Sequence, residues 1–214
     1  VIGDIHGCLK ALDAILGAVK PISDDTIVVL GDFIDRGIDT KGVIDRLIEL
    51  SSRCRLVVIR GNHEETMLDA LHDSKKLDRW LRFGGEVTLM SYGEDARLDL
   101  IPEEHISFLR DTRGYFESDS HIFTHASFIP NRPMKEHPSS VLRWESLDPE
   151  HLSRHYSGKT VVVGHTVQEN GEVLDLGFVI CLDTGCYCGG WLTGLDVNSG
   201  QVWQANEHGR LRER

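Results

Sequence analysis

The chain has 214 residues, of which 40% are hydrophobic and 27% charged. That balance fits one soluble globular domain and excludes collagen, coiled coil and wholesale disorder. The formal net charge of −11 repels DNA and RNA backbones, so no nucleic-acid partner is expected. No apolar run approaches the ~18 residues of a membrane span, so none is expected there either.

In chain order, Val1-Ile2 reads as the end of a strand, and Cys8 to Val19 carries apolar residues at helical spacing. Thr26 to Leu30 reads as a short buried strand, Gly42 to Leu50 as a helix, Leu56 to Ile59 as a strand and Glu65 to Leu71 as a helix. This alternation predicts parallel strands with crossover helices. Residues 72–120 read as largely helical and polar. Residues 130–157, with Pro130, Pro133, Pro138 and Pro149, read as loop. The last third is strand-rich: Ile122-Phe123, Val161 to Val163, Phe178 to Leu182, Leu192 to Val197 and Val202-Trp203, with Asn198-Ser199-Gly200 as a hairpin turn. The basic tail from His208 to Arg214 is expected to be a frayed end. Five cysteines, an odd number in a chain this long, predict free thiols and a reducing compartment, the cytoplasm. The chain opens on Val1 with no signal segment remaining; a cleaved one stays open.

Each of the first three strands is followed by a glycine-flanked polar turn: Gly3-Asp4-Ile5-His6-Gly7, then Gly31-Asp32-Phe33-Ile34-Asp35-Arg36-Gly37, then Arg60-Gly61-Asn62-His63-Glu64. In parallel α/β sheets, ligands bind beyond the carboxyl ends of the strands, so these clusters should converge on one edge. Two more histidines, His125 and His165, end later strands. Asp4, His6, Asp32, Asn62, His125 and His165 form a donor set suited to divalent cations. Six ligands are too many for one catalytic ion with open positions. They suit two ions sharing a carboxylate, the clamp used for in-line displacement at phosphorus.

The ordered motifs GDIHG, GDFIDRG and GNHE, followed by TH and GHT, resemble the calcineurin-like metallophosphoesterases, and within them the phosphoprotein phosphatase branch. Met67-Leu68, Trp80-Leu81 before Gly84-Gly85, and Leu182 to Gly185 before Gly189-Gly190 add to the likeness, which runs from residue 3 to 205. The resemblance implies an α/β fold, a two-sheet β-sandwich flanked by helices in four layers. One metallophosphoesterase domain would span 1–214, with a small helical insertion or cap at about 72–120. It implies that Asp4 and His6 hold a first ion, that Asp32 bridges, and that Asn62, His125 and His165 hold a second. His63 would protonate the leaving oxygen, oriented by Asp35, and the nucleophile would be a metal-bridging hydroxide. Arg36, Arg60 and a third arginine would hold the phosphoryl oxygens. Arg143 fits the third place, with Arg132 and Arg154 as alternatives. The two divalent ions would be manganese foremost, or iron, zinc or nickel.

The chemistry agrees with these roles. Guanidinium forks suit phosphoryl oxygens. A serine alkoxide is a poor leaving group, so a general acid is worth ~10²–10⁴-fold. His63-Glu64-Glu65-Thr66-Met67 lacks the second histidine of a zinc-protease motif, and Gly158-Lys159-Thr160 lacks the upstream P-loop glycine. Cys186 and Cys188 have no partner pair for a zinc site. His72, His105, His121, His137, His151, His155 and His208 are expected to be solvated. The leading expectation is a serine/threonine protein phosphatase acting on phosphoproteins. The alternative is a bis(5'-nucleosyl)-tetraphosphate hydrolase acting on a phosphorylated nucleotide, which the segment Leu182 to Cys186 also resembles. Those hydrolases commonly lack the acid at Asp35, carry GNHD and are longer.

Overall fold

The computed structural model describes residues 1–213. The β-α alternation holds in the first third: α1 (Leu9–Val19), β1 (Thr26–Val29), α2 (Thr40–Ser51), β2 (Arg55–Val58) and α3 (Asn62–Ala70). Then come α4 (Ser74–Trp80), a wide π-type turn at Leu81–Gly85, α5 (Glu86–Tyr92) and α6 (Glu103–Arg110). The remaining elements are β3 (Tyr115–Glu117), β4 (His121–Thr124), α7 (Ser139–Trp144), β5 (Thr160–Val163), β6 (Leu174–Asp175), β7 (Val179–Cys181), β8 (Asp183–Thr184), β9 (Trp191–Leu195) and β10 (Val202–Ala205).

Two sheets form. In one, β1 and β2 pair in parallel, and Ile2 bridges Val29 on one side and Gly194 of β9 on the other. β9 continues antiparallel to β10 and β8. The other sheet runs β3-β4-β5-β7-β6, with β4, β5 and β7 parallel. Strand alternation sorts the core into three clusters. Val28, Leu30, Val57 and Ile59 meet Phe123, Val162 and Leu182 between the sheets. Ile27 and Val29 face α1 and α2 through Leu12, Ile15, Val43 and Leu47. Ile122, Val161 and Val163 face outward under Phe128, Met134 and Leu142. The result is the expected sandwich with helical layers outside.

Three expectations need correction. Residues 130–157 are not all loop: a short 3-10 turn spans Met134–Glu136 and α7 follows. Pro133 and Pro138 sit just before these turns, where a missing N–H costs nothing. His105, His137 and His155 are buried rather than solvated. Each earns its place by hydrogen bonds, His105 between Tyr92 and Asp45, His137 with the Ile129 N–H, His155 with the Arg132 carbonyl. The tail is pinned as far as Arg212, whose guanidinium donates to Gly171, Gln204 and Glu172 and lies over the Trp191 ring; Arg214 lies outside the described residues. The hairpin at 198–200 is present as expected, closing β9 onto β10. All five thiols are free. Among the described residues, no helix is long and apolar enough to cross a membrane.

Candidate metal centre and active site

The turns after Ile2, β1 and β2 converge beside the ends of β4 and β5. Asp4, His6, Asp32, Asn62 and His125 are all buried. Asp32 lies at the centre. Its Oδ1 is 3.4 Å from Nε2 of His125, and its Oδ2 is 3.6 Å from Nε2 of His6 and 3.9 Å from Nε2 of His63. Two groups of potential ligand atoms result, His6-Asp32-His63 and Asp32-His125-His165, each within 4.8 Å and sharing Asp32. Asn62 opens α3, and its Oδ1 lies 3.0 Å from Nε2 of His125. The backbone N–H of His165 donates to Oδ2 of Asp4 at 3.0 Å, so residues 161 positions apart meet here.

Local backbone geometry brings these side chains so close. Seven non-glycine residues among those described have positive φ, and five are His6, Asp32, Asp35, Arg36 and His165. Such residues cost energy that the surroundings must offset, and they cluster at functional sites. Gly61 and Gly164 supply the room. A Cβ on Gly61 would lie 2.0 Å from Oδ1 of Asp32, and one on Gly164 would lie 1.9 Å from Oδ1 of Asp4.

Hydrogen bonds orient the rings. His6 and His125 each place Nδ1 2.9 Å from a backbone carbonyl, those of Ile34 and Leu30. His165 places Nε2 3.2 Å from the Trp144 carbonyl. Each bond assigns the proton to the outer nitrogen and turns the other inward. Burial lowers the pKa of His6 to about 3, and burial with the charge of His125 lowers His165 to about 4, so both rings are neutral. Burial and then Asp183 raise Asp4 well above the usual carboxylate range, and its Oδ1 has no hydrogen-bond partner. Burial also disfavours charge on Asp32, but His125 and His63 hold its carboxyl well below that range. Orphaned carboxylate oxygen and inward imidazole nitrogens are what a divalent cation would satisfy.

His63 is arranged differently. Its Nδ1 lies 2.7 Å from Oδ2 of Asp35, while its Nε2 is buried without a partner. Burial opposes protonation of this ring, yet the charges of Asp32 and Asp35 raise its pKa. Asp35 itself is wholly buried and accepts from Nε1 of Trp80 and Oγ1 of Thr88 as well.

The three arginines of the sequence reading lie near the site in different states. The Arg36 guanidinium sits 4.5 Å over the Tyr187 ring, which in turn packs edge-on against His6. Arg143 is paired with Glu65, which also accepts from Nε1 of Trp144 at 2.6 Å. Arg60 uses Nε on Thr112 Oγ1 at 2.7 Å and Nη2 on the carbonyls of Leu109, Arg110 and Thr112.

Several residues given no role by sequence reasoning belong to this assembly. Glu64 is fully buried, and its carboxylate accepts from the backbone N–H groups of Asp32, Gly61, Phe33 and Ile34. It clamps the Asp32 turn to the start of α3. Asp183, at the start of β8, is buried beside Asp4 and Asp32, and burial with the Asp32 charge raises it to about 6. Trp80 and Thr88 come from the polar helical segment. Only the Trp80–Gly84-Gly85 pattern hinted at them, and it carries no chemistry by itself.

A model of the calcineurin-like phosphoesterases matches residues 1–173. Serine/threonine-protein phosphatase 1 of Salmonella typhimurium is 28% identical over 209 residues, covering 90% of this chain and 88% of its own length. A symmetrical bis(5'-nucleosyl)-tetraphosphatase of Pseudomonas putida is 24% identical, covering 99% of this chain and 94% of its own. A crystal structure assigned to a diadenosine tetraphosphatase superposes with a TM-score of 0.71 at 23% identity, covering 95% of this chain and 90% of that one. That last likeness is one of fold.

Proposed function

This chain belongs to the calcineurin-like phosphoesterases and is a metal-dependent phosphoric ester hydrolase, and we propose that its substrates are phosphoserine and phosphothreonine residues of proteins. The observation that carries this reading is the His63–Asp35 pair, with a buried, unpartnered Nε2 directed into the cluster around Asp32.

The donor set fits two divalent ions. Asp4 and His6 would hold one, Asn62, His125 and His165 the other, with Asp32 between. Carboxylate, imidazole and amide donors suit manganese first, and also iron, zinc or nickel. When bound, such a pair acidifies water and offsets phosphoryl charge. The remaining work falls to this chain's own side chains. Asp35 accepts a hydrogen bond from the Nδ1–H of His63, fixing the ring plane and favouring the imidazolium. His63 then holds a proton at Nε2 for the departing oxygen. Arg36 and Arg143 present guanidinium groups to the phosphoryl oxygens; Arg60 contributes the end not engaged by α6. The sharing of Arg143 with Glu65 keeps its fork aligned while no substrate is bound.

The proton donor favours a phosphomonoester of an alcohol. A serine or threonine alkoxide is strongly basic and needs protonation as it leaves. The phosphate oxygen that leaves when a polyphosphate is cleaved is far less basic and needs it less. The full GDFIDRG motif and the Salmonella relative's name support the same reading. Free thiols fit action in a reducing compartment. The alternative, hydrolysis of dinucleoside tetraphosphates, draws support from the Pseudomonas relative. A side-by-side assay of a phosphoserine peptide and diadenosine tetraphosphate tests the choice. The peptide should show the higher kcat/KM; a clear preference for the dinucleotide would overturn the proposal.

A further inference from the structure

The helical segment 74–92 makes a row of hydrogen bonds to the turn that carries Asp35 and to the start of α2. Trp80 Nε1 donates to the Asp35 carboxylate at 2.9 and 3.2 Å. The Gly84 carbonyl accepts from the Arg36 N–H at 3.3 Å. Thr88 Oγ1 lies 2.7 Å from Asp35 Oδ1, 3.0 Å from the Asp35 N and 3.0 Å from Thr40 Oγ1. Ser91 Oγ accepts from the Lys41 N–H at 3.1 Å. The contacts come from the end of α4, from the bend at Gly84, whose φ of 111° breaks the helix, and from α5, so the bend sets both helices against the Asp35 turn and the start of α2.

The hydroxyl protons can be assigned by counting. Each threonine has one proton to give. The Asp35 carboxylate can only accept, so Thr88 gives its proton there. Thr40 then donates to Thr88, and the Asp35 N–H is shared by both oxygens. The chain of donors has one direction and ends on the carboxylate that holds His63. Trp80, Thr88 and His63 thus surround Asp35 with three donors from three elements, and Asp35 is wholly buried. A carboxylate fixed from three sides cannot rotate, and its Oδ2 dictates the plane of the His63 ring.

We propose that Trp80 and Thr88 are positioning residues that aim the Asp35–His63 pair. The segment 74–92 is then the outer half of the proton-donating machinery. This rests on the reading of His63 as the proton donor. It follows that loss of either donor harms substrates in proportion to how much their leaving group needs a proton. A side chain that merely fills the core would affect all substrates alike.

The test compares Thr88→Val, Thr88→Ser and Trp80→Phe with His63→Asn, using a phosphoserine peptide and p-nitrophenyl phosphate, with bound metal counted in each. Valine keeps the shape of threonine and removes only the hydroxyl. Thr88→Val should lower kcat on the peptide about ten-fold and on the aryl ester less than two-fold, metals retained. Thr88→Ser should stay within about two-fold of the parent on both. Trp80→Phe should repeat the Thr88→Val pattern, which keeps the proposal testable should one variant fail to fold. Equal losses on both substrates, or none, while His63→Asn shows the leaving-group dependence, would overturn the positioning role alone. If His63→Asn itself shows no such dependence, the proton-donor reading falls and the positioning role with it.

Discussion

Replacing Glu64 by Gln changes one atom type in the clamp beneath the metal centre. Oε2 accepts from the N–H groups of Asp32 and Gly61 at 2.9 and 2.8 Å, and Oε1 from those of Phe33 and Ile34 at 2.9 and 3.4 Å. A glutamine amide has one oxygen and one NH₂, so two of these donors would face another donor. The weaker pair, at Phe33 and Ile34, is the one expected to be lost. Two bonds to a charged acceptor are worth about 1.5 kcal/mol each at the low end, so the cost is about 3 kcal/mol. For a chain of this size, 1 kcal/mol moves Tm by about 2–4 °C, giving a fall of about 6–12 °C. Burial and the nearby charge of Asp32 push the Glu64 carboxyl up to about 7; ionising it above that pH costs the parent stability that the neutral amide keeps, so the fall in Tm should be larger at pH 6 than at pH 8. Thermal unfolding followed by circular dichroism, in a chelator, isolates the clamp from the metals. The same clamp holds Asp32 at its positive φ, so manganese should then raise the Tm of Glu64→Gln less than that of the parent. A metal-free Tm within 2 °C of the parent would refute the reasoning.

Metal binding at pH 6 should release protons, because Asp4 is raised by burial and Asp183, Asp183 is raised to about 6, and Asp32 raises His125 to about 10 against its burial. The metal-free protein therefore holds protons that a cation must displace, and affinity should climb as pH rises. Calorimetric titration in two buffers of different ionisation heat reads the release directly, and none at all would contradict the donor set. Arg36→Lys should lower kcat/KM about ten-fold with little change in Tm, since charge stays and the fork is lost. Arg60→Lys should instead lower Tm, since its Nε and Nη2 tie α6 to the strand end; the reverse pattern would exchange their roles.

The turns after the strands were legible because their chemistry is local in sequence. A glycine and a carboxylate within five residues after a Val/Ile run, joined by a histidine in the first and third turns, specify both a sharp bend and a ligand. The β-α alternation of the first third was legible for the same reason, with Val28 and Leu30 facing one way and Ile27 and Val29 the other. Pairings made at long range were not legible. Glu64 sits in a recognised motif, yet three of its four N–H partners depend on the return of the chain from residues 31–34. Trp80 and Thr88 read as ordinary residues of a polar helix until the fold sets them 45 and 53 positions away against Asp35. The buried histidines His105, His137 and His155 sit in polar stretches, so hydropathy placed them in solvent, while their burial is sustained by specific partners. Short strands such as β6 and β8, two residues each, fall below any periodic signal. Proline density suggested loop at 130–157, where Pro133 and Pro138 in fact stand at the entrances to helical turns.

The most direct test of the account is the leaving-group dependence of His63→Asn. The parent and this variant would be compared on a phosphoserine peptide and on p-nitrophenyl phosphate, with metal content measured in both. If Nε2 gives its proton to the departing oxygen, the variant should keep both ions. Its kcat on the peptide should fall ~10²–10⁴-fold, and on the aryl ester, whose phenol leaves unaided, far less. Equal losses on the two substrates, with metals retained or lost, would contradict the account.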